Sequence, residues 1–165
     1  MSRLIATAAA LALFVVAPTA MAEPLHIEAV MSPKEQIQLN LRDGTKHFVL
    51  FVRREGKAVG TGALAGLAVV EYGMHDIVPK EGGTSIGYFE LTAANGDIVY
   101  INWHIGAVFA PGPEGTPAML YNGEWQIVGG NGRLKDVTGE GTLHMKVISA
   151  TDRRFILDGD VNSKP

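Results

Sequence analysis

The 165-residue chain contains no cysteine. Neither a disulfide framework nor a thiolate nucleophile is available to it, and its stability rests on its core. An excess of one charge is missing too. With 14 basic and 17 acidic residues the formal net charge is −3, and no Lys/Arg stripe interrupts the mixture. That balance lacks the electrostatic footprint of nucleic-acid or anionic-membrane binding. The five histidines, His26, His47, His75, His104 and His144, are scattered one to a segment. None has the spacing of a zinc-ligand pair, so no metal and no other cofactor is expected. A Gly-x-Ser-x-Gly elbow is absent, and so is a glycine-rich loop that opens a helix with a phosphate-binding lysine. No apolar run reaches the ~20 residues that a bilayer-spanning helix needs.

The one sizeable apolar run is at the start. Arg3 precedes Leu4–Ala17, and Ala20-Met21-Ala22 follows as a small-residue cleavage site. This order predicts a signal peptide over residues 1–22, with Glu23 first in the exported chain. Residues 23–165 are then a single domain, periplasmic or extracellular, that does not insert into a membrane after cleavage.

What the remainder has in abundance is glycine: all 20 lie beyond residue 22. Helical periodicity is scarce. Ile37, Leu39 and Leu41 alternate with polar residues, which predicts a half-buried strand. Asp43-Gly44 marks a turn. Lys46–Arg54 is apolar on both faces through its middle and reads as a strand covered on both sides, ended by a turn at Arg54–Lys57. Gly60, Gly62 and Gly66 predict the bends that close a barrel. Glu71–Gly83 reads as a loop with a short extended part. Ser85–Thr92 and Ile98–Phe109 flank Ala94-Asn95-Gly96-Asp97, a hairpin signal. Pro111–Pro117 is a polar loop, and Asn122-Gly123 reads as a turn before Trp125–Val128. Gly129–Leu143 (GGNGRLKDVTGEGTL) is an ordered corner with room for one helical turn at Arg133–Thr138. Within it Gly130, Gly132, Gly139 and Gly141 are expected to supply positive φ or close backbone approach. Gly141–Ser149 and Arg154–Val161 end the chain as strands. The sum is an all-β protein, a single antiparallel closed barrel of about eight strands.

The GGNG turn, the Arg133-Leu134 pair, Gly139-Glu140-Gly141 leading into a strand, and the upstream Gly87-Tyr88 and Gly96-Asp97 resemble the corner of the allene oxide cyclase and dirigent-like barrels. The likeness covers roughly residues 82–143. It implies an eight-stranded antiparallel barrel with a hydrophobic cavity and, for such barrels, guidance of a cyclisation or of radical coupling. No functional residue carries over, because no motif matches those members position by position.

Candidate chemistry is sparse. Glu71 and His75 share a face if their segment is extended, with Asp76 pointing away, and a histidine beside a carboxylate can act as a general base. In a loop the same trio is a solvated surface. Glu90 and His104 complete the catalytic candidates. Along Ile98–Phe109 an apolar face (Val99, Ile101, Trp103, Ile105, Ala107, Phe109) opposes a polar one (Tyr100, Asn102, His104). The polar face is read as solvated, leaving a filled or narrow barrel that a ligand enters near Glu71–Gly83. Tyr72, Tyr88, Tyr100, Asn102 and Trp125 are the ligand-binding candidates, although Trp103 and Trp125 also fit the role of core anchors. Two function classes remain. One is an exported barrel that binds a small apolar molecule or a protein partner; the other is a cofactor-free isomerase or cyclase acting in the barrel cavity. A membrane barrel is excluded on the expectation that strands fall mostly short of ~9–11 residues and because the aromatics form no girdles.

Overall fold

The computed structural model describes residues 22–111 and 117–162. The expected signal peptide, apart from Ala22, and the tip of the Pro111–Pro117 loop lie outside the described residues. Nine strands form: β1 (Glu23–Asn40), β2 (Phe48–Lys57), β3 (Val59–Thr61), β4 (Ala68–Val78), β5 (Gly82–Thr92), β6 (Ile98–Pro111), β7 (Pro117–Gly130), β8 (Thr138–Val147) and β9 (Arg153–Asn162). Every pairing is antiparallel. The order β2-β4-β5-β6-β7-β8-β9-β1 closes on itself through β1–β2, giving an eight-stranded barrel. The short β3 is extra, and it continues the line of β2 along the same edge of β1. No α-helix occurs among the described residues; the corner after β7 holds a single 3-10 turn, Gly132–Leu134.

Period-2 alternation decides what faces inward. On β6, Val99, Ile101, Trp103, Ile105 and Ala107 are buried, while Tyr100 and His104 face out, as the sequence led one to expect. Trp103 stacks on Phe89 at 5.5 Å, and Phe89 meets Phe155 edge-on at 5.1 Å. Glycines opposite the tryptophans make the room: a Cβ at Gly87 would lie 2.6 Å from the Trp103 ring, and one at Gly159 would lie 2.7 Å from that of Trp125. The interior is consequently full. Among Ile27, Met31, Phe89 and Phe155 only about 10 Å³ of cavity remains. The hydrophobic cavity implied by the resemblance is therefore occupied by the protein's own side chains. At the lower end, where β1 begins, Leu64 and Val137 reach into the core from the β3–β4 and β7–β8 connections.

Several expectations are corrected. Glu71–Gly83 is no loop. It holds β4, a tight turn with Lys80 at φ 74°, and the start of β5. Its charged residues read as surface because half of a strand's residues face away from water, a fact that local polarity hides. Arg54–Lys57 is strand, not turn, and Asn122-Gly123 lies inside β7, where Gly123 passes directly over the His104 carbonyl. Lys46–Arg54 is not covered on both sides, since Phe51 is 44% exposed on the outer face. Ile37 and Leu39 do share one face, but it is the outer one. A bulge at Lys34 puts Pro33 opposite the buried Arg54 and Glu35 opposite the outward-facing Arg53, and this reverses the parity of β1. Strand lengths also exceed the expectation, from 10 residues to 18 in the barrel strands. Length therefore does not separate this barrel from a membrane-spanning one. The interior is mostly apolar, and charged residues such as Glu124, Glu140 and Asp160 share the outer face with apolar ones such as Ile86 and Tyr88.

Candidate functional site

Inward-facing Arg54, Glu71, His75 and Ser85 assemble one polar cluster in the upper half of the barrel, toward the β1–β2 and β4–β5 turns. Two register pairs build it: Arg54 lies opposite Glu71 across β2–β4, and His75 lies opposite Ser85 across β4–β5. Arg54 donates to Glu71 Oε2 at 2.7 Å, and His75 Nδ1 lies 2.8 Å from Ser85 Oγ. His75 Nε2 stands 3.5 Å from Glu71 Oε1 and 3.4 Å from the Arg54 guanidinium. The four side chains thus form one chain of contacts, and all are buried, Glu71 completely. Gly73, between Glu71 and His75 on the same face, leaves the necessary space: a Cβ there would sit 2.7 Å from Glu71 Oε1. Three buried polar atoms around the cluster have no hydrogen-bond partner, namely Arg54 Nε, Glu71 Oε1 and Trp103 Nε1. A buried ion pair with unsatisfied atoms is costly to hold, and such clusters concentrate at functional positions.

Two groups from the opposite wall adjoin this cluster. Burial pushes the Tyr121 phenol up, while the charge of Arg153 opposes that shift. Burial pulls the Arg153 guanidinium down, and the nearby Arg54 charge pulls in the same direction. Outside the barrel, His47 bridges Asp76 and Asp43, fastening the β1–β2 connection to β4. Its imidazole is raised above the ordinary value chiefly by the hydrogen bond to Asp76. Asp43 is lowered chiefly by the Thr45 backbone N–H.

The outer surface carries a different arrangement. A groove of about 540 Å³ crosses β1, β2, β4, β5 and β6, bordered by Ile37, Phe51, Tyr72, Ile86, Tyr88 and Asn102. Register explains it. Ile37, Phe51, Met74 and Ile86 form one cross-strand row; Arg53, Tyr72, Tyr88 and Asn102 form the next. A second hollow of about 390 Å³ lies among Tyr72, Tyr88, Tyr100 and Val128, where a bulge on β7 leaves Val128 facing out. Asn102 is fixed by donating to the Gly87 carbonyl at 3.2 Å.

The structure therefore divides the candidates. Glu71 and His75 come together inside, joined by Arg54 and Ser85, which the sequence reading missed. Tyr72, Tyr88, Tyr100 and Asn102 come together outside. Glu90 lies beside Tyr100 on the outer face, and His104 is outward and exposed, so neither reaches the buried cluster. Trp125 is in the core, its indole N–H donating to the Asp158 carbonyl at 3.1 Å. The signal for Arg54 is its place at a two-residue interval from Val52 in an apolar strand. Reading Arg54–Lys57 as a turn hides that signal.

The chain matches no model of a protein family, and no curated protein sequence matches it. Solved structures do resemble it. A β-barrel-like protein from Acinetobacter baumannii superposes with a TM-score of 0.53 at 12% identity, over 88% of this chain and 98% of that one. A pterocarpan synthase dirigent protein superposes with a TM-score of 0.51 at 14% identity, over 88% of this chain and 97% of that one. At such identities the likeness is one of fold: this chain and both of those proteins share an antiparallel barrel architecture.

Proposed function

We propose that this is an exported binding protein whose site is the outer groove, taking a small apolar molecule or an apolar segment of a protein partner. One observation carries the reading. The hollow among the core side chains around Phe89 and Phe155 holds only about 10 Å³, whereas the outer face opens a groove of about 540 Å³ edged by exposed aromatics. Contiguous exposed apolar surface rimmed by polar groups is the usual mark of a binding surface, and Arg53 and Asn102 supply that rim. With 8-anilinonaphthalene-1-sulfonate as a probe, Tyr88→Ala is expected to weaken binding about tenfold with an unchanged thermal midpoint, because Tyr88 faces out. Unaltered binding to this variant overturns the groove.

A second reading, a cofactor-free isomerase, is favoured by the Arg54–Glu71–His75–Ser85 contacts. Here Glu71 and His75 would exchange a proton with a substrate held at the upper end of the barrel. The same titration separates the two. The Trp103 indole N–H has no partner and lies by His75, with ring centroids 6.0 Å apart. Its NMR signal moves if a ligand enters the barrel and stays in place if the groove is filled.

Export itself rests on Arg3, Leu4–Ala17 and Ala20-Met21-Ala22. N-terminal sequencing of exported material is expected to begin at Glu23, in the periplasm or outside the cell. Retention of Met1 there overturns the signal peptide.

A further inference from the structure

The barrel is closed, yet β1 keeps one open edge. Its first half, Glu23–Met31, lies between β9 and the β2–β3 line, whereas Ser32–Asn40 pairs only with β2. β9 starts at Arg153, opposite Met31. Beyond that point the edge of β1 turned away from β2 has no strand partner among the described residues. Exposed edges template the addition of another strand, and proteins usually blunt them with charge or proline. Pro33 and Lys34 protect the start of this one, but Gln36–Leu41 has neither. The outer side chains there, Ile37 at 64% exposure and Leu39 at 53%, are among the most exposed large apolar groups in the structure.

The segment Gln36-Ile37-Gln38-Leu39-Asn40 is complementary to itself when read in reverse. In an antiparallel pair related by a two-fold axis through Gln38, Ile37 faces Leu39 of a second copy, twice, on the outer side. Gln36 faces Asn40 twice and Gln38 faces itself on the inner side. Apolar groups meet apolar groups, amides meet amides, and none of these pairs sets a charge against its like. We propose that this free edge of β1 pairs with the same edge of a second copy, joining two barrels through a continuous antiparallel sheet. Self-complementarity is what favours a second copy over a foreign strand. The pair is short beside a standard interface of about 1,600 Å², so the dimer is reversible and concentration-dependent.

Sedimentation equilibrium of the purified protein tests this independently of the groove. The mass is expected to rise from one chain towards two across the micromolar range. Ile37→Lys with Leu39→Lys sets like charges opposite one another twice and is expected to weaken the dimer about 100-fold. Ile37→Lys with Leu39→Glu sets opposite charges there and is expected to restore it. Both positions are exposed, so an unchanged thermal midpoint confirms that the fold persists. A wild-type protein that stays monomeric overturns the proposal, as does a dimer indifferent to both variants. Binding of a synthetic Gln-Ile-Gln-Leu-Asn peptide by a monomeric wild type would assign the edge to a strand of another protein instead.

Discussion

Replacing Glu71 with leucine is expected to cost about 3–5 kcal/mol of unfolding free energy, the range found when one member of a buried ion pair is removed. Glu71 is fully buried, and it is the acceptor for Arg54 at 2.7 Å. Without it the Arg54 guanidinium stays in a dry interior, and His75 Nε2 loses the carboxylate 3.5 Å away. The loss is from the uncompensated charge more than from the hydrogen bond itself. Arg54→Met combined with Glu71→Leu should therefore recover most of the stability, since an apolar pair of similar volume in a core is often neutral or better. Urea unfolding of the two variants and the wild type measures both. A single variant within about 1 kcal/mol of wild type would show that water reaches the cluster and screens it.

The second large effect is expected at Gly141. This residue is extended, and its need for glycine is one of space: a Cβ would stand well inside van der Waals contact distance of the Asp158 carbonyl oxygen across β8–β9, with Gly159 immediately beyond. A backbone neighbour cannot rotate away as a side chain can. Gly141→Val is expected to destabilise by about 3 kcal/mol or more, at the upper end of overpacking costs. Gly129, in the same glycine-rich stretch, has nothing within 4 Å of the position of a Cβ. Gly129→Ala should accordingly stay within about 0.5 kcal/mol of wild type. Equal midpoints for the two variants in thermal melts would mean that β8 and β9 separate more easily than their spacing indicates. Within the corner, only Gly132 has a positive φ, at 52°, and a Cβ there would run into the Asp97 carboxylate that accepts from the Arg133 N–H. The expectation of positive φ or close approach is thus met by different glycines for different reasons.

The barrel was legible because its signals are local. Alternation on β6 and the Asn95-Gly96 turn each declare themselves within a dozen residues, and Gly60, Gly62 and Gly66 all take positive φ where bends were expected. The buried cluster was legible only in halves. Glu71 and His75 stand four apart on one strand, so extension alone put them on one face. Arg54 and Ser85 join them through pairing between strands, which spacing along a single chain does not encode. The face of β1 is hidden for a similar reason. Alternation shows which residues travel together, but the side they take depends on every residue inserted between them and the last fixed point.

That dependence has a consequence for how the chain can change. Lys34 is the extra residue between the pairs Pro33–Arg54 and Glu35–Arg53, so a chain without it would keep both pairs and the faces beyond them. A residue lost from the regular ladder beyond the bulge acts differently. A chain shorter by Gln36 would turn Gln38 and Asn40 outward and carry Ile37 and Leu39 to the barrel mouth. The groove would lose one wall and the open edge its apolar fringe, with no other letter of the sequence altered. For this surface the informative variation is in counting, and a comparison that scores only matched positions would pass over it.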